Sequence, residues 1–331
     1  MKRALLPLAL LGGFALAALT LALALGSQAL APAAVWNALW AGAGSTQGDI
    51  VLALRLPRAL AAFGCGALLA LAGAILQALL RNPLAEPYVL GLSGGASVGA
   101  LFALFAGLGT VWVGVGASAG ALAATVLVFV LGARAFRRHA DTGSASLQLL
   151  LVGVVLGAGF GAVVSFILSI APDRELRSMV FWMLGDLSGA DHYSLALAGA
   201  ALALAGALRL APDLNLMLLG DAQAYTLGVD VRRARWQAVV LASLAAGVAI
   251  TVGGSIGFVG LVVPHALRLV LGHDQRLLLP AVALAGGSFL VLADTLARTL
   301  FAPLQLPVGV VTAFVGVPTF LALLIRHGGR R

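Results

Sequence analysis

The residues with chemistry to offer are few, and they sit in apolar surroundings. LADTLART sets Asp294 and Arg298 four residues apart, the spacing that lets a carboxylate and a guanidinium pair on one helix face. Charges at membrane depth are usually neutralised by a partner, which reads the pair as structural; a proton relay generally needs more than one such group, and no second one accompanies Asp294. A further stretch, SIGFVGLVVPHALRLVLG at 255–272, breaks an apolar run with Pro264, His265 and Arg268. Backbone freed by proline and an ionisable side chain at membrane depth are tolerated only where protein or a water-filled path surrounds them. For His265 two readings stand: a group on such a path, or a cap against a neighbour's carbonyl.

Other chemistry is excluded. Lys2 is the single lysine, and a P-loop needs a lysine for the phosphates, so the chain does not hydrolyse ATP by that route. Work done across a membrane would then draw on a separate ATPase or on an ion gradient. The single Cys65 rules out an internal disulfide and a cysteine metal cluster.

The elements that carry these residues follow from composition. With 61% hydrophobic and 10% charged residues over 331 and a mean hydropathy of +1.07, the chain is expected to be an all-α polytopic membrane protein. Apolar blocks long enough for spans of roughly 20 residues, separated by short polar loops, favour helices over a barrel. The 42 glycines suit close helix packing. The net charge of +8 does not point to nucleic acid, because no basic run is interleaved with aromatics.

Block lengths predict about ten spans: 4–26, 57–80, 89–107, 111–133, 147–171, 193–210, 236–255, a short broken 257–271, 277–300 and 307–326. The run 4–26 followed by SQALAPA imitates a secretory signal, but it exceeds the usual apolar length of one and is read as a span. Trp36 and Trp40 mark an interfacial helix over 32–46, and FWMLGD lies in an interfacial segment at 172–192. With the N-terminus inside, 15 of the 20 basic residues fall inside; Arg55, Arg58, Arg174, Arg177 and Arg298 fall outside, as the positive-inside rule requires.

Two interrupted segments align at an offset of 181: Gly73 with Gly254, Ile75 with Ile256, Leu80 with Leu261, Pro83 with Pro264 and Gly91 with Gly272. They lie five spans apart, an odd number, so the repeat would be inverted, with a transport path between its halves. The chain is thus expected to be one transmembrane domain over 1–331, with halves near 55–171 and 236–326 and an inner connection at 212–235. That connection is patterned as short amphipathic helices between Gly220 and Gly228. It reads equally as a docking site for a soluble partner and as a surface loop whose Arg232, Arg233 and Arg235 meet anionic lipid.

RLPRALAAFGCGALLALAGAILQALLRNPLAEPYVLGLSGGASVGA, LGDAQAYTLGV, GSIGFVGLVVPHALRLVLGHDQRLLLP and ADTLARTLFAPLQLPVGVVTAFVGVPTFLALL together resemble the FecCD family of permeases. These are membrane subunits of binding-protein-dependent ABC importers for iron-siderophores, haem and cobalamin. The resemblance runs in order from Arg55 to Leu324. It implies a homodimer in the bacterial inner membrane, joined by two ATPase subunits that bind ATP and magnesium and by a periplasmic substrate-binding protein. It implies no enzyme activity, cofactor or metal site on this chain.

By the same resemblance, Arg55, Arg58 and Arg298 would meet acidic groups of the binding protein. Asn82 and Leu84 would form an inner gate, with Ser144 and Ser146 at the start of the fifth span, where TGSASLQ departs from the family register at Thr142 as well. Gly220, Asp221, Ala224, Leu227 and Gly228 would face the ATPase. The cargo implied is an iron chelate, haem or a ferric siderophore, with cobalamin as the alternative. Two other classes stay open: a proton-coupled transporter using Asp294 and His265, and a membrane scaffold recruiting partners through 212–235.

Overall fold

A computed structural model describes residues 2–26, 30–42, 45–138, 142–189 and 192–328, with the backbone alone over 132–138 and 142–150 and at a few further positions. Every regular element among them is helical. In order these are α1 (Lys2–Ala24), α2 (Pro32–Ala41), α3 (Thr46–Asp49), α4 (Leu56–Leu79), α5 (Leu92–Phe105), α6 (Thr110–Arg138) and α7 (Thr142–Ile170). Then come α8 (Asp173–Met183), α9 (Tyr193–Met217), α10 (Asp221–Thr226), α11 (Val231–Gly253), α12 (Val259–Leu271), α13 (Gln275–Thr299) and α14 (Val308–Gly328). A π-helical stretch over Ile50–Arg55 joins α3 to α4 without a break. Seven helical segments are long and apolar enough to cross a membrane, and α5, α12 and α14 add three shorter apolar ones. The ten expected spans are thus all occupied by helix.

The helix α4 is at the centre. Apart from Arg58 and Gln77 its sequence is apolar all round, which suits a helix surrounded by others, and from Gly64 to Leu79 every residue is buried. It packs against α9, α11, α12 and α13, while α5, α6 and α7 pack on one another. Trp36 and Trp40 stack at 5.9 Å on α2 and stay exposed, as an interfacial helix requires.

Small residues decide where helices meet. A methyl group on Gly73 would run into the Gly260 carbonyl of α12, and one on Gly66 into Gly286 of α13. A methyl on Gly99 would strike Gly116, and one on Gly95 would strike Gly120, locking α5 to α6. Such contacts bring backbones together where no hydrophobic force drives association.

Three expectations need correction. The third span is only the 14 residues of α5, because Pro87–Leu90 forms a 3₁₀ turn and Gly91 has a φ of +77°. The inner connection does not begin at Pro212, since α9 continues through it to Met217; Leu214 and Met217 are buried, and that packing outweighs the lost backbone bond. In the interrupted segment the break falls at 254–258, where Gly254 and Phe258 take positive φ, and Pro264 lies inside α12. The offset of 181 is therefore not a structural register: Gly73 is mid-helix and Gly254 caps α11. The order long helix, break, short helix of 14 or 13 residues, then two helices longer than that does recur, as α4 to α7 and as α11 to α14.

Candidate functional site

At the N-terminal end of α4, three arginines gather around one acid. Arg58 grips Asp294 through Nε, 3.0 Å from both carboxylate oxygens, and through Nη2 at 2.8 Å from Oδ1. Arg298 donates from Nε to Oδ2 at 3.1 Å, the i,i+4 pair expected from sequence. Arg55 donates through Nη1 to the carbonyls of Leu23 and Ala24 at 2.7 and 3.0 Å, and Arg298 reaches the Ala22 carbonyl at 3.3 Å. Cations at the last carbonyls of α1 complement its helix dipole, so this group also fastens α1. Asp294 is 1% exposed, and a charge so buried is tolerable only when paired and hydrogen-bonded. Arg58 keeps an edge toward solvent, where Nη1 donates to Gln305 at 2.9 Å.

In the last turn of α4, Gln77 resolves the problem set by Pro264. A proline has no N–H for the carbonyl four residues before it, which here is Gly260. The Gln77 side-chain amide donates to that carbonyl at 3.2 Å and to Leu261 at 3.1 Å. Its own oxygen accepts from Arg268 Nη1 at 2.9 Å. The glycine at 73, one turn earlier, is what lets α12 come this near.

Past the C-terminal end of α4 lies the loop 80–91. Arg81 takes a φ of +49°. Asn82 accepts the Leu84 N–H on Oδ1 at 2.9 Å, leaving the Leu84 side chain exposed. Farther on, Glu86 accepts the Phe258 N–H at 2.8 Å and the Tyr88 hydroxyl accepts the Ile256 N–H at 3.0 Å. The loop of the first half thus supplies acceptors for the orphan donors of the 254–258 break.

Arg81 also reaches Asp221, at 3.6 Å, in the first turn of α10, and Asp221 pairs with Arg235 of α11. Gly220 and Gly228, with φ of +122° and +89°, bracket α10 in backbone conformations that favour glycine. Ala224 is buried beneath it, while Leu219, Tyr225 and Leu227 are exposed. Beside this end, Asn215 and the Arg276 backbone N–H hold the Asp274 carboxyl below the usual carboxylate range.

The sequence-derived groups are thus brought together in part. Arg55, Arg58 and Arg298 share one cluster, Asn82 and Leu84 one turn, and Gly220, Asp221, Ala224, Leu227 and Gly228 one helical knuckle. Ser144 and Ser146 lie in the first turns of α7, with side chains outside those described. His265 and Asp294 have different neighbours: the His265 ring meets Phe320 edge-on at 5.8 Å, and Asp294 is held by arginines. Among the described residues no three His, Cys, Asp or Glu side chains converge as a metal ion would need. Gln77 and Arg81 were missed, and Arg235, read from sequence as one of three arginines able to meet anionic lipid, pairs with Asp221; Gln77, a lone amide in an apolar helix, was the visible signal.

An apolar concavity of about 520 Å³ opens beside the break, between the end of α8, Ser255 to Phe258, and α14.

Residues 14–326 match the FecCD transport family. The chain is 42% identical over 322 residues to the vitamin B12 import system permease protein BtuC of Vibrio cholerae, covering 96% of this chain and 93% of that one. It is 38% identical over 328 residues to the hemin transport system permease protein HmuU of Yersinia pestis, covering 93% and 91%. Among solved structures, an inward-facing metal-chelate type ABC transporter superimposes with a TM-score of 0.82 at 29% identity, over 97% of this chain and 99% of that one.

Proposed function

The chain belongs to the FecCD transport family as an ABC importer permease, and from that premise we propose that it carries a bulky metal chelate inward across the bacterial inner membrane by alternating access. The cargo class we propose is a metal tetrapyrrole, cobalamin or haem, because relatives of similar identity are named for each. This sets cobalamin, the alternative named from sequence, beside haem; a ferric siderophore is kept as an outcome of the test.

The observation that carries the mechanism is the knuckle at α10. Exposed Leu219, Tyr225 and Leu227 stand on two glycine hinges at the end of the molecule richest in arginine, a surface suited to a soluble partner. In this proposal two ATPase subunits, binding ATP and magnesium, press on α10 of each of two permease copies. Asn82 and Leu84, with Ser144 and Ser146, form the inner gate. Two copies enclose the path along the face made by the break and α14. At the outer end Arg58 and Gln305 present the docking edge for a periplasmic binding protein, with Arg55 and Arg298 behind it. Rim charges of this kind set orientation and encounter rate.

The test is uptake into proteoliposomes holding this chain with its ATPase and binding protein, ATP inside, offered cobalamin, haem and a ferric siderophore in turn. Accumulation of a tetrapyrrole, lost when either partner is omitted, is expected. Uptake driven by a pH gradient without the partners would overturn the proposal. Gly220→Val with Gly228→Val should leave ATP hydrolysis while abolishing uptake, because neither backbone angle accommodates a β-branched residue; retained uptake would remove α10 from the coupling path.

A further inference from the structure

The helices α6 and α11 pack together, and the Ser118 and Thr251 hydroxyls, 2.6 Å apart, fix their crossing toward one end. From that point the two run antiparallel and leave an apolar groove of about 410 Å³ between them. On α6 the groove is lined by Leu122, Val126 and Val130 with Thr125 at its floor, and on α11 by Leu244, Val240 and Trp236 with Ser243 at its floor, Thr125 and Ser243 both being buried. The six apolar side chains step by four on each helix, so each trio makes a continuous stripe, and all six are exposed.

The next step of four leads to an arginine on both helices: Arg134 after Val130 on α6, and Arg232 before Trp236 on α11. Counting away from the Ser118–Thr251 crossing along antiparallel helices puts Leu122 level with Leu244, Val126 with Val240 and Val130 with Trp236, and the same count puts position 134 level with 232. Arg232 is exposed. A groove about 12 Å long by helix rise, apolar over its exposed surface and followed one turn on by an arginine position on each helix, has the chemistry of one acyl chain beneath one phosphate.

We propose that this groove is a binding site for an anionic glycerophospholipid, with an acyl chain along the two stripes and the headgroup phosphate between positions 134 and 232. Trp236 sits one turn deeper, at the depth where an indole prefers the boundary between headgroup and chain. The alternative explanation is a diffuse one: any basic end of a membrane protein enriches anionic lipid without a site.

Brominated lipids separate the two. The full-length chain is reconstituted in phosphatidylcholine vesicles containing equal fractions of dibrominated phosphatidylglycerol or dibrominated phosphatidylcholine. The quenching belonging to Trp236 is taken as the difference between the native chain and Trp236→Phe. The site predicts a preference for the anionic lipid of about fivefold per arginine, the factor that ~1 kcal/mol for each basic side chain at a charged surface converts to. Arg134→Gln with Arg232→Gln should bring the two lipids to parity, and Arg134→Lys with Arg232→Lys should keep the preference. Arg209→Gln with Arg276→Gln, which removes the same charge on α9 and α13, should leave it intact. Parity in the native chain, or an equal loss in the α9 and α13 variant, would overturn the site. Val126→Phe should reduce quenching by both lipids, since it fills the groove without touching charge; undiminished quenching would also count against it.

Discussion

Arg58, Asp294 and Arg298 at one end of α4, and Arg81, Asp221 and Arg235 at the other, are the same set of side chains in the same arrangement: a carboxylate between two guanidiniums. They differ in their access to water. The side chains of the first group are 12, 1 and 8% exposed, and those of the second 33, 25 and 22%. The first is a fixture, because an ion pair cut off from water cannot lose one member without stranding the other. The second is screened by solvent, so its members can part and re-form at little cost. One triad fastens α1 and α13 to α4, and the other joins α10 to the loop bearing Asn82 and Leu84.

The largest effect should come from breaking the buried triad. Asp294→Asn leaves Arg58 and Arg298 without their counter-charge and should cost about 3–5 kcal/mol, read as a fall in thermal stability and folded yield in detergent. A loss as small as that at Asp221 would erase the contrast. Between the triads, Gly73→Ala tests whether α4 is held by backbone contact as well as charge. Overpacking there should cost roughly 1–3 kcal/mol, checked by the same melting experiment, and an unchanged midpoint would show that α12 yields freely.

Asp221→Asn should lower stability by less than about 1 kcal/mol, and that difference should vanish in 1 M salt, where the Debye length is about 3 Å. The Asp294→Asn loss should survive the same salt. The smallest effect should be that of Arg81→Gln, whose 3.6 Å contact is the looser of the two to Asp221; its melting temperature should match the native chain's, while uptake per ATP hydrolysed falls. Full coupling in that variant would reduce the inner triad to surface decoration.

Much of this was legible in the sequence for a simple reason: a membrane span is a length of apolar chain, and length can be read directly. The pairing of Asp294 with Arg298 was legible because it is local. Arg58, the stronger partner of Asp294, stands 236 positions away, and no periodicity reveals a contact between helices. Pro264 misled because a proline in an apolar run looks like a break, and only the position of Gln77 on another helix shows how the freed carbonyl is satisfied. At Pro212 the same error had a different cause, the burial of Leu214 and Met217 around a helix end that the polar residues nearby made look like loop. The exposed Leu219, Tyr225 and Leu227 were visible as a pattern, but their knuckle needs the two glycine conformations to exist.

The glycine seams bear on how such a molecule moves. Where Gly73 meets Gly260 and Gly66 meets Gly286, and again where Gly99 meets Gly116, axial sliding would drive a neighbouring side chain into a gap with no room for it. The joined helices therefore travel as plates, α4 with α12 and α13 in one and α5 with α6 in the other. Between the plates the segments 80–91 and 254–258 are bonded to each other, and the second is also seated closely against α8 and α14 through Gly254 and Gly316, so a tilt of one plate against the other would carry these contacts with it.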